Sequence, residues 1–241
     1  MPRVYIEKIT VKDGVLRLTG EDAHYLTNVL RQRKGDSVEV FDSLGRFFDG
    51  RVIDAATREV LLNITPRDRQ KEEHSTAIVL CQGLLKGAKM DMVIQKTTEL
   101  GVSEIITFYS SRCQYKETGK LSRWNKIAVE ASRQSGRVAV PVVSAPISYS
   151  DLLLTIKCSK QSRAFIFYEK TGVSLKSVAL CVDVKTIYAV TGPEGGFSSD
   201  EIDEAEAADI TPVFLGNRIL RAETAAVASV LLLQFLFGDI E

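Results

Sequence analysis

The chain changes rhythm after about residue 70. Before that point, runs of alternating apolar and polar residues fall at Arg3–Ile9, Val15–Thr19, Ser37–Phe41, Phe47–Ile53 and Glu59–Ile64. Turn residues separate them at Asp13-Gly14, Lys34-Gly35-Asp36 and Ser43-Leu44-Gly45. A period of two puts successive side chains on opposite faces, so these runs predict strands, and their spacing predicts a small β-barrel. One stretch, from about Asp22 to Arg31, carries Ala23, Leu26, Val29 and Leu30 at helical spacing and predicts a single helix. From Pro66 to Glu73 the chain is charged without an apolar period, which reads as a linker between domains at 1–70 and 74–241.

After His74, short apolar strands alternate with longer amphipathic helices. Strands are predicted at Thr76–Gln82, Glu104–Tyr109, Ala164–Phe167, Thr186–Val190 and Val213–Leu215, and helices at Lys89–Leu100 and Arg123–Ser135. That alternation predicts an α/β domain with a mostly parallel sheet covered by helices. Ser198 and Glu201 form a capping-box pattern that starts a helix after Phe197. The last helix, Glu223 to Phe237, is apolar on most faces; one side is expected on the sheet and another against a second subunit.

Composition narrows the function classes. The 31 basic and 31 acidic residues cancel, so any affinity for nucleic acid has to come from local patches. The compact basic turn Arg31-Gln32-Arg33-Lys34 is one candidate, and Lys86, Lys89, Arg133 and Arg137 extend the set. Cys81, Cys113, Cys158 and Cys181 lie far apart with no CxxC pair and only two histidines, a spacing that argues against a metal site. The longest apolar stretch, Ala225 to Phe237, is broken by Ser229 and Gln234 and reads as a buried helix rather than a membrane span. The first residues lack a signal-peptide pattern, so a cytoplasmic protein with reduced thiols is expected.

Two segments carry candidate chemistry. In Ile187 to Phe197, a hydrophobic strand runs into the loop Thr191-Gly192-Pro193-Glu194-Gly195-Gly196 and then a helix. Glycines there let a ligand approach the backbone, and amide groups can donate to it. The loop is neither a P-loop nor a GxGxxG motif, and the bland alternative is an ordinary strand-to-helix turn. In Phe214 to Ala225, another short strand ends in Leu215-Gly216-Asn217-Arg218-Ile219-Leu220-Arg221, with Glu223 and Thr224 at the start of the last helix. Arg221 and Glu223 there read either as site residues or as surface residues of a helix start.

Taken with their neighbours, these strings resemble the RsmE family of SPOUT-class methyltransferases over nearly the whole chain. His24-Tyr25-Leu26, Val29-Leu30-Arg31, Lys34-Gly35-Asp36 and Phe41-Asp42 are similar to that family's PUA-like RNA-binding domain. Lys89-Met90-Asp91, Gln95 to Val102, Ser111-Arg112-Cys113 and Trp124 with Glu130 to Arg137 and Pro141 match further blocks in order. Ser111 and Arg133 depart from the family pattern, which more often has an acidic residue at each place.

The resemblance implies a PUA-like β-barrel followed by a trefoil-knotted SPOUT domain acting as a homodimer. It implies methylation of uridine N3 in 16S ribosomal RNA of the small subunit, with S-adenosylmethionine as donor, S-adenosylhomocysteine as product and no metal; the competing readings are a SPOUT ribose 2′-O-methyltransferase acting on transfer or ribosomal RNA and a non-catalytic RNA-binding ribosome-assembly protein. The cofactor residues it implies are Thr191, Gly192, Pro193, Glu194, Gly195, Gly196, Leu215, Gly216, Asn217, Ile219, Leu220, Arg221 and Thr224. A uracil N3 must lose its proton, so cationic or donor groups are needed to stabilise the anionic base; Arg112 and Arg221 are the candidates. Glu194 reads either as the proton acceptor or as a residue that orders its own loop.

Overall fold

The computed structural model describes residues 1–42, 46–56, 58–67, 76–114, 119–137, 139–178 and 184–240. The predicted turn at Ser43-Leu44-Gly45, most of the predicted linker and Cys181 lie outside them. By contact, the chain divides into Met1–Glu73 with Ser132–Val140, and His74–Ala131 with Pro141–Glu241.

In the first unit, β1 (Arg3–Ile6), β2 (Val11–Lys12), β3 (Val15–Thr19), β4 (Ser37–Asp42), β5 (Phe47–Ala56) and β6 (Glu59–Arg67) form one sheet in the order β1-β4-β5-β6-β3-β2. Only β1 and β4 are parallel, and no ladder among the described residues joins β2 back to β1. The buried positions of β3 and β6, Leu16, Leu18, Val60, Leu62 and Ile64, alternate as the sequence predicts and pack with Val4, Val38 and Val40. Strand β6 extends through Pro66 and Arg67, which the charge pattern had assigned to the linker. Arg67 pairs there with Glu39 and Asp49, so its charge serves the sheet.

The predicted helix is divided. Helix α1 (Gly20–His24) gives way to a π-helical turn at Tyr25–Val29, where Leu30 N donates to Tyr25 O across five residues at 2.9 Å. The extra residue in that turn breaks the 3.6-residue period. Leu26 stays fully buried while Val29, placed on the same apolar face by the period, is turned to solvent.

In the second unit, β7 (Ala77–Gly83), β8 (Glu104–Tyr109), β9 (Val142–Val143), β10 (Ile147–Ser148), β11 (Ser162–Phe167), β12 (Val173–Ser174), β13 (Thr186–Thr191) and β14 (Thr211–Phe214) make a sheet in the order β10-β8-β7-β13-β11-β14-β12, with β9 also beside β8. Every ladder in it is parallel. Helices α2 (Ala88–Glu99), α3 (Leu121–Ser135), α4 (Tyr149–Cys158), α5 (Leu175–Val178), α6 (Ser199–Ala207) and α7 (Ala222–Phe237) connect or follow the strands, with α3 from Ser132 onward falling in the first unit. Fully buried strands need apolar residues on both faces, and β13 supplies them as Ile187, Tyr188, Ala189 and Val190. The strands are not laid down in spatial order: β13 enters between β7 and β11, and β14 between β11 and β12. Helix α7 packs on α2, β7 and β13, and leaves Leu231, Leu232 and Phe235 exposed.

Candidate functional site

Parallel strands end on one edge of their sheet, and β13, β11 and β14 are consecutive in it. The segments beyond their carboxyl ends therefore meet, which is where open α/β sheets bind ligands. The Thr191–Phe197 segment, the Leu215–Leu220 turn and Phe167-Tyr168-Glu169 together line one cavity of about 180 Å³. The sequence motifs identify the first two. The third carries no glycine signal, and only the adjacency of β11 to β13 and β14 brings it in.

The glycine-rich loop is held from three sides. Gln82, fully buried on β7, donates from Nε2 to Gly192 O at 3.1 Å and accepts the Thr191 hydroxyl at 2.8 Å. Gly83 lets the loop lie against the strand: a Cβ there would stand 2.8 Å from both the nitrogen and Cδ of Pro193. On another side Arg112 donates from Nη1 to Gly195 O at 3.2 Å, and a Cβ on Gly195 would come within 2.9 Å of Arg112 Cβ. Glu201 closes the expected capping box with Ser198 and also accepts Ser111 N at 2.7 Å, which fixes the residue before Arg112.

Glu194 makes the third brace. Its Oε1 accepts Lys86 N at 3.1 Å and Lys89 Nζ at 3.0 Å. Partial burial works against its ionisation, but the hydrogen bonds from Lys89 and Lys86 outweigh it and hold the carboxyl below the usual glutamate value. A carboxylate so stabilised is a weaker base, and its contacts are those of a loop-ordering group.

The second turn is open. Gly216 has φ +109° with nothing within 4 Å of a built Cβ, and Ile219 is 85% exposed although it lines the cavity. Of the thirteen expected cofactor residues, Asn217, Arg221 and Thr224 lie outside the lining and are exposed. Arg221 stands at the amino-terminal cap of α7, where its carbonyl accepts Ala225 N at 2.8 Å. Glu223 is not a surface residue: it is buried in the first turn of α7. Phe197, Arg218, Ala222 and Ala225, which lie within the two motif strings but outside the expected cofactor set, complete the wall.

The expected RNA-contacting cations divide into two groups. Arg31, Arg33 and Lys34 are exposed, and Arg33 N donates to Asp36 Oδ2 at 2.7 Å to tighten their turn. Lys89 is instead engaged with Glu194, beside the exposed Lys86. Arg133 is taken up inside the first unit, where Nη2 donates to Tyr5 O at 2.9 Å and the guanidinium lies 4.7 Å from the Tyr25 ring centroid. Arg137 is half-buried. Among the described residues no cluster of His, Cys, Asp and Glu could hold a metal ion, and no helix is long and apolar enough to cross a membrane.

The chemistry of the wall is that of a nucleoside and amino-acid site. Bare glycine backbone, apolar Phe197, Leu215 and Leu220, two carboxylates at Glu169 and Glu194 and one guanidinium at Arg218 offer partners for a purine, a ribose and a charged tail. A family model described as an RNA methyltransferase domain matches residues 72–234, and one described as an RNA methyltransferase PUA domain matches 18–65. The parallel sheet and its glycine-walled edge are thus those of a SPOUT-class RNA methyltransferase preceded by a PUA-like domain.

Within that class the chain belongs to the ribosomal RNA small subunit methyltransferase E family. It is 31% identical to the Buchnera aphidicola (Acyrthosiphon pisum) protein of that name over 244 residues, 99% of this chain and 95% of the relative. It is 30% identical to the Bacillus subtilis protein, with 93% of each covered. The Neisseria gonorrhoeae ribosomal RNA small subunit methyltransferase E, solved bound to S-adenosyl methionine, superposes with a TM-score of 0.88 at 31% identity over 100% of both chains. A Legionella pneumophila protein solved with the cofactor SAM gives 0.88 at 28% identity over 99% of this chain and 98% of its own.

Proposed function

We propose that this enzyme methylates N3 of a uridine in 16S ribosomal RNA of the small subunit, with S-adenosylmethionine as methyl donor. The observation that carries the reading is the single cavity shared by the loop after β13 and the turn after β14. Thr191 to Gly196, Leu215, Gly216, Ile219 and Leu220 hold the donor, the glycines by leaving amides bare and the leucines by covering an aromatic face. When bound, the donor supplies a methyl group already activated by the positive charge on sulfur, so no metal is needed. The protein's share is orientation and exclusion of water.

Arg112 is the group proposed to meet the uracil. One of its N–H groups is spent on Gly195 O, and its exposed guanidinium keeps further donors for a uracil oxygen as N3 loses its proton. Arg221 is proposed to act from the cap of α7 on the RNA rather than on the donor, since it lies outside the cavity wall. Glu194 orders the loop. The basic turn Arg31, Arg33 and Lys34 contacts RNA phosphates.

A homodimer joined through the exposed side of α7 fits Leu231, Leu232 and Phe235, and a trefoil knot fits the late insertion of β13 and β14 between earlier strands. The PUA-like domain spans 1–70 and the methyltransferase domain 74–241, apart from Ser132–Val140, which group with the first unit by contact, and the enzyme acts in the cytoplasm on the 30S subunit or its RNA. Nucleoside mass spectrometry of small-subunit RNA from cells with and without the protein tests the reaction. The expected result is one missing N3-methyluridine, restored by adding protein and donor; a missing 2′-O-methyl nucleoside instead assigns the chain to sugar methylation.

A further inference from the structure

Glu169 follows β11 and forms part of the cavity wall. A Cβ built on Gly196 would stand 3.7 and 3.8 Å from its two carboxylate oxygens, so its charge lies over bare backbone of the glycine-rich loop. The other acid of the wall, Glu194, is engaged by Lys89. No described residue forms an ion pair with Glu169. Its neighbour in sequence, Lys170, holds its ammonium 5.9 Å from the Tyr168 ring centroid. The wall thus keeps one carboxylate in reserve for a cation from outside the chain.

The donor and the product of this reaction share a purine nucleoside and an amino-acid tail. They differ in the methyl group and in the sulfur, which is positive in the donor and neutral in the product. We infer that Glu169 is the specificity-determining residue that reads this charge, so that the cavity prefers S-adenosylmethionine to S-adenosylhomocysteine and releases the spent molecule. The inference rests on the donor occupying this cavity. A contact with the shared amino-acid tail would strengthen both ligands alike, whereas a contact with the sulfur strengthens only the donor. Because Glu169 is exposed, solvent screens the attraction and the preference it adds is modest, about fivefold.

Calorimetric titration of the whole chain with each ligand, in the native form and as Glu169→Gln, tests this. The amide keeps the shape and removes the charge. The donor is expected to weaken about fivefold while the product's affinity stays unchanged, and Glu169→Asp is expected to keep most of the preference. Raising the salt concentration should narrow the native preference and leave the ratio in Glu169→Gln flat. Equal weakening of both ligands, or no change in either, overturns the inference while leaving the cofactor reading intact. A native protein that binds neither ligand overturns both.

Discussion

The two glycine-bearing segments of the cavity are built on opposite principles. The loop after β13 is fixed before any ligand arrives: Gln82 and Gly83 back it, Arg112 crosses it, and Lys86 and Lys89 hold its carboxylate. The turn after β14 has almost no such support, with Gly216 facing open space and Ile219 exposed. A binding wall made of one rigid and one open side takes its geometry from the first and its access from the second. Substitutions behind the loop are therefore expected to damage donor binding far more than substitutions in the turn.

The largest effect is expected at Gly83. In Gly83→Ala the new methyl meets the backbone of Pro193, which cannot move without shifting the loop. Overpacking of this kind costs about 1–3 kcal/mol. Thermal unfolding should show the loss of stability, and donor binding should fall below detection by calorimetry. Unimpaired binding in this variant would mean that the loop is not rigid.

Gln82→Leu comes next. It leaves Gly192 O and the Thr191 hydroxyl without their partner in a buried place, at about 1–3 kcal/mol for an unmet group. The donor's KM should rise by about tenfold, with the RNA's KM little changed. A parallel rise in both would assign Gln82 to general stability instead.

Gly216→Ala probes the open side. No atom obstructs the methyl, so only the backbone angle of +109° opposes it, at about 1 kcal/mol. A rise of a few-fold in donor KM with an almost unchanged melting temperature is expected. If this variant proves as damaging as Gly83→Ala, the contrast between the two sides is wrong.

The smallest effect belongs to the Lys89–Glu194 brace, an exposed ion pair. Lys89→Ala should change donor affinity by no more than about 1 kcal/mol. Its pH dependence has a definite sign: a carboxyl whose folded pKa is lowered adds stability above the ordinary glutamate value and loses it as pH falls through the lowered one. Donor affinity should therefore owe no change to Glu194 between about pH 5 and 8. A decline within that window that disappears in Glu194→Gln would refute the brace.

Much of this molecule was legible in its sequence because strands and helices with one buried face announce their period. Strands β3, β8 and β13 and helices α2 and α7 fall within a residue or two of the periodic runs, and α6 starts at the Ser198–Glu201 cap as its pattern predicts. Helix α4 was readable too, from Ser148 capping Asp151 N and from buried Tyr149, Leu152 and Ile156, although the strand-and-helix rhythm passes over it. The short edge strands β2, β9, β10 and β12 were not, since two residues carry no period.

Local pattern determined which segments bear glycine where a strand ends, and so two of the three parts of the cavity. Tertiary structure alone decided that β11 lies between β13 and β14, which brings Glu169 to the wall, and that a glutamine more than a hundred residues earlier in the chain holds the loop. It also turned Glu194 and Lys89 toward each other and Arg133 onto Tyr25. The physical reason is range: periodicity and capping are set by neighbours a few residues away, whereas the order of strands and the partners of buried polar groups depend on residues that meet only when the sheet is complete.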